Sequence, residues 1–78
     1  MVHVVDRFER PVELADVIDF VASEDRHSKV HRFFLSCDNH LFTLYGDTEQ
    51  TTELIVPNPL TVEKAYDEAK TGMILLNN

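Results

Sequence analysis

One cysteine, two glycines, three prolines and no tryptophan occur among the 78 residues. The single cysteine, Cys37, excludes an intrachain disulfide, on which secreted domains this small usually rely. Two glycines, Gly46 and Gly72, are too few for a glycine-rich phosphate loop. So little glycine and proline also excludes collagen-like and flexible-linker segments. The longest uninterrupted apolar run, Met-Ile-Leu-Leu at 73–76, falls far short of the roughly 20 residues that span a bilayer. The first residues lack the basic stretch and apolar run of a secretory signal. Basic residues are scarce as well: 7 Lys+Arg stand against 14 Asp+Glu, a formal net charge of −7. An acidic surface repels nucleic acid and anionic membranes at long range. Together these absences lead us to expect a soluble, cytoplasmic protein with no membrane attachment, no nucleic-acid partner and no cofactor.

Hydrophobic residues make up 44% of the chain, too many for a disordered tail. The length suits one domain over 1–78. A chain of this mass buries about 60% of its unfolded surface, a thin margin that association with a second copy would widen. The charge is uneven. Residues 1–25 carry net −5, residues 26–46 net +2 and residues 47–78 net −4.

Residues 2–8 are β-branched and apolar enough for a strand. Pro11 suits the first position of a helix, and Leu14, Val17, Ile18 and Val21 follow at helical spacing, so a helix is expected over 11–24. Residues 29–37 and 40–46 read as two strands joined by Asp38-Asn39, residue types that tolerate the positive φ of a tight hairpin. That register opposes Cys37 to His40, Leu35 to Phe42, Phe34 to Thr43, Phe33 to Leu44 and Arg32 to Tyr45. A third antiparallel strand is expected over 51–56, stopped by Pro57. Thr61 is positioned to cap a second helix over 62–71, with Gly72 just past its end. Residues 73–76 suit a last strand or a packed tail. The order β-α-β-β-β-α(-β) predicts an α+β two-layer sandwich, with both helices on one face of a mainly antiparallel sheet.

Four constellations could carry chemistry. Cys37 and His40 face each other across the hairpin, but a nucleophile needs a third, orienting group and zinc needs about four ligands. Core packing accounts for them more simply, and neither a catalytic nor a metal site is expected. The run 26–32 is the only basic cluster; it lacks the aromatic core sequence of an RNA-binding sheet, and a charge cluster at a helix end is the plainer reading. Glu9, Glu13, Asp16 and Asp19 crowd the first helix. They form a solvated face or, alternatively, a decoy that imitates phosphates for a nucleic-acid enzyme. Finally, Val30, Arg32, Phe34, Leu41 and Tyr45 share the sheet face opposite the more apolar one. Exposed, they would form an interface anchored by aromatics and Arg, unless a terminal segment folds over them. The expected function is a non-enzymatic binding or regulatory domain, with a protein partner or a second copy docked on that face.

Overall fold

The computed structural model describes residues 1–27, 31–46 and 52–72. The elements are β1 (Val2–Asp6), β2 (Pro11–Val12), α1 (Leu14–Ala22), a short 3-10 helix (Glu24–His27), β3 (Phe33–Cys37), β4 (His40–Tyr45), β5 (Thr52–Glu53) and α2 (Pro59–Lys70). The class is α+β. One sheet runs in the order β2-β1-β3-β4-β5, and its first four strands are antiparallel. Among the described residues, both edge strands have only two residues, which limits the unpaired backbone they offer another chain.

The β3–β4 hairpin forms as its turn residues dictate. Asp38 and Asn39 take φ values of 48° and 67°, and Cys37–His40, Leu35–Phe42 and Phe34–Thr43 are opposed. Alternation puts Val4, Leu35, Phe42 and Leu44 on one face. They meet Val17 and Val21 of α1 and Val62, Ala65 and Ala69 of α2 in a single core, joined by Leu54 and Val56. Tyr66 of α2 donates its hydroxyl hydrogen to the Val2 carbonyl at 3.4 Å, tying that helix to β1.

Four expectations are corrected. Pro11 does not open the first helix: Pro11 and Val12 pair with Val5 and Val4 as an edge strand, and the helix begins at Leu14. Proline fits there because an edge strand can spare its N–H on the solvent side. The strand expected over 51–56 is confined to Thr52–Glu53 and runs parallel to β4, not antiparallel. Past it, Val56 still donates its N–H to the Leu44 carbonyl. The second helix starts earlier than Thr61. Asn58 caps it, its Oδ1 accepting the Leu60 N–H at 2.9 Å, and Pro59 takes the first helical position. The fourth correction is a β-bulge between Phe33 and Phe34, which opposes Phe33 to Tyr45 and not to Leu44. Gly72, at φ 89°, ends α2 as expected. The possible strand over 73–76 lies outside the described residues.

Val5, Phe34 and Thr43, which alternate with the core residues along their strands, lie in one cross-strand row and are all buried. Thr43 is fully buried and its Oγ1 has no hydrogen-bond partner among the described residues. An unsatisfied buried hydroxyl costs about 1 kcal/mol or more. Thr43→Val is therefore expected to leave stability unchanged or raise it by up to about 1 kcal/mol, read from the urea midpoint. A loss of that size would mean that the hydroxyl is bonded.

Candidate functional site

Of the five residues expected to form one exposed face, four lie among the described residues, and those four do not form a single exposed patch. Phe34 is 8% exposed, and Leu41 and Arg32 are half-buried. The bulge carries Tyr45 to the helix side, where its ring lies 5.8 Å from that of Phe20. Phe20 also meets the rings of Phe33 at 5.5 Å and His31 at 4.9 Å. Val30 lies outside the described residues. Cys37 is buried beside the Asp38 carboxylate, while His40 is exposed with its ring 6.2 Å from Phe42. Among the described residues, no group of three or more His, Cys, Asp and Glu is placed to hold a metal. Glu13, Asp16 and Asp19 are exposed around α1.

A different constellation forms at the β1–β2 turn. Asp6 organises it. Its Oδ1 accepts the backbone N–H of Phe8 at 2.8 Å and of Arg10 at 2.9 Å, and its Oδ2 takes the Arg10 Nε–H at 2.8 Å. The Glu9 N–H bonds the Asp6 carbonyl and the Asp6 N–H bonds the Arg10 carbonyl, closing a three-residue loop. Aspartate is favoured at the first position of such a turn because its short side chain bonds the backbone ahead of it. Glu9 occupies the left-handed position at φ 64°, where glycine would be the ordinary choice.

This turn lifts Phe8 off the end of the strand and leaves it 60% exposed. The Arg7 and Arg10 guanidinium carbons lie 4.6 and 5.0 Å from its ring centroid. Two cations over one ring add cation–π attraction to the hairpin's order. Phe8 and Arg7 form a ridge between two clefts. One, about 230 Å³, is bounded by Arg10, His31, Arg32 and Phe33. The other, about 270 Å³, is bounded by Glu9, Phe34 and Leu41. Three residues expected from sequence thus border this ridge: Arg32 on one side, Phe34 and Leu41 on the other. Sequence reasoning missed Arg7, Phe8 and Arg10, because it extended the first strand to Phe8. The usable signal was Asp6 ahead of Arg-Phe-Glu-Arg, an acid placed to cap a turn.

The first cleft is cationic within an acidic protein. It holds Arg7, Arg10 and Arg32 against one carboxylate, Asp6, which is already bound to Arg10. Among the described residues, neither Arg7 nor Arg32 is paired with a carboxylate. A wider hollow of about 420 Å³ runs along α2, lined from Leu60 to Thr71. Among the described residues, its lining belongs to that one helix and its C-cap and no opposing wall encloses a ligand.

The hydrogen bond from the Arg10 N–H is the largest influence on the Asp6 carboxyl and holds it below the ordinary carboxylate range. Partial desolvation opposes this, and the Phe8 N–H and the Arg10 guanidinium reinforce it. A lowered folded-state pKa stabilises the fold above the unfolded value, and that contribution is lost as pH falls through the folded one. Asp6→Asn should therefore be less stable than wild type at neutral pH, with the gap closing as both are acidified. Urea midpoints of the two proteins across the acid range check this. A gap independent of pH would contradict it.

Comparison with protein families, with curated proteins and with solved structures returned no match. Among the described residues, no helix is long and apolar enough to cross a membrane.

Proposed function

We propose that this chain is a small, acidic, non-enzymatic binding domain that works by protein–protein association. Its docking surface is the Arg7–Phe8 ridge with its two flanking clefts. In this reading the fold is a two-layer sandwich with both helices on one face, and the partner, another protein or a second copy, docks at the end of the sheet.

The observation that carries the reading is Phe8. A phenylalanine left 60% exposed, flanked by two guanidiniums and held by a pinned turn, has the composition of an interface anchor. Its position is set in advance by the Asp6 bonds, so little ordering entropy remains to be lost on docking. Arg32, Phe34 and Leu41 keep a place in the surface as cleft walls.

The test replaces Phe8 with a photoreactive benzoylphenylalanine in cells of the native host, with the same probe at Ala15 on α1 as control. Discrete adducts are expected from position 8 and not from position 15. Equal or absent labelling at both positions would contradict the reading.

A further inference from the structure

We infer that the cleft between the β1–β2 turn and the start of β3 receives an oxyanion carried by a peptide, while a neighbouring apolar side chain of that peptide lies on Phe8. This deepens the association reading and rests on it.

Charge points to the anion. Three of the chain's four arginines converge on this cleft. Arg10 is bonded to Asp6 at the cleft edge, while Arg7 and Arg32 bring guanidiniums with no carboxylate partner among the described residues. Guanidinium presents paired N–H donors that match a carboxylate or phosphate edge, and such charge-assisted bonds are about twice as strong as neutral ones. Among the described residues, the cleft's acidic neighbours are Asp6, already bonded to Arg10, and Glu9, which lines the opposite side of the ridge.

Size and surroundings point to a peptide. About 230 Å³ has room for one or two oxyanion groups. A nucleic acid presents a phosphate charge about every 1.7 Å along its axis and would extend past the cleft over a protein of net charge −7. A short acidic motif puts its charge in the cleft alone. The second cleft, walled by Phe34 and Leu41 across the Phe8 ridge, provides apolar contact for the adjoining side chain.

The oxyanion could be a carboxylate or the phosphate of a modified side chain, and the experiment separates them. The full chain, labelled with ¹⁵N, is titrated with three acetylated, amidated peptides: Asp-Glu-Leu-Phe, phosphoserine-Glu-Leu-Phe and Asn-Gln-Leu-Phe. The charged peptides are expected to shift the amides of Phe8, Arg10, Arg32 and Phe33 saturably. The Asn-Gln peptide should bind at least roughly tenfold more weakly, and salt should weaken only the charged ones. Tighter binding of the phosphoserine peptide assigns phosphate; comparable binding assigns carboxylate. Arg7→Ser, at an exposed position, and Arg32→Ser should each reduce the charged-peptide affinity by roughly tenfold while the spectrum stays dispersed. Having two variants guards against a folding defect at the half-buried Arg32. Equal binding of charged and neutral peptides, shifts located elsewhere, no saturable shift from either charged peptide, or undiminished binding by Arg7→Ser would each overturn the proposal. A position-8 adduct found beside equal charged and neutral binding would remove the oxyanion and leave the association reading intact.

Discussion

Phe34→Asp is expected to abolish the cooperative unfolding transition at 25 °C. Phe34 sits in the row between Val5 and Thr43, and all three are buried. Removing a buried phenylalanine typically costs about 3–5 kcal/mol. Placing a carboxylate there adds a desolvation penalty of several kcal/mol, and the residues paired with it, Val5 and Thr43, carry no charge to offset it. A domain of this length holds only about 4–12 kcal/mol in all. The variant should therefore lose its folded circular-dichroism signal and show no sigmoidal urea curve. A folded variant within about 1 kcal/mol of wild type would instead mean that Phe34 faces water, and would restore the open sheet face to candidacy.

Gly46→Val is the second large effect. Gly46 has φ 106°, a conformation β-branched residues avoid, and a Cβ there would lie 2.9 Å from the His31 carbonyl oxygen and 3.2 Å from the Arg32 Cγ. The obstacle at 2.9 Å is backbone, so it cannot swing aside. Strain of about 1–3 kcal/mol adds to overpacking of similar size. We expect a loss of about 3 kcal/mol or more in urea unfolding. Because the clash falls on His31 and Arg32, any folded remainder should also show displaced amide resonances at Arg32 and Phe33. A loss below about 0.5 kcal/mol would contradict the close approach.

Local chemistry was the legible part of this fold. Asp38-Asn39 announced the tight turn, and the turn set the hairpin register as far as Phe34. The helical spacing of Val17 and Val21 placed the inward stripe of the first helix. Where two local readings competed, the tertiary fold decided. Pro11 suits a helix start and an edge strand equally, and pairing with Val5 selected the strand. Asn58 and Thr61 are both capping residues, and Pro59 made the earlier one effective. The bulge that moves Tyr45 to Phe20, and the parallel pairing of β5, arise from long-range packing that no local pattern encodes.

The candidate site was legible only at its edges. Arg32, Phe34 and Leu41 were singled out as neighbours on one sheet face, yet they wall two different clefts. The ridge between them depends on Asp6 ending the strand two residues before Phe8. A period-of-two reading cannot see that, because an apolar residue just past a strand end continues the alternation until a side-chain bond breaks it.

In the proposed function Phe8 is held out for a partner and not for the fold. Competition against the position-8 photo-adduct tests it most directly, with purified wild type and Phe8→Ser added in excess. Wild type is expected to suppress the adduct, while Phe8→Ser, with an unfolding free energy within about 1 kcal/mol of wild type, does not. Equal suppression by both proteins would contradict it.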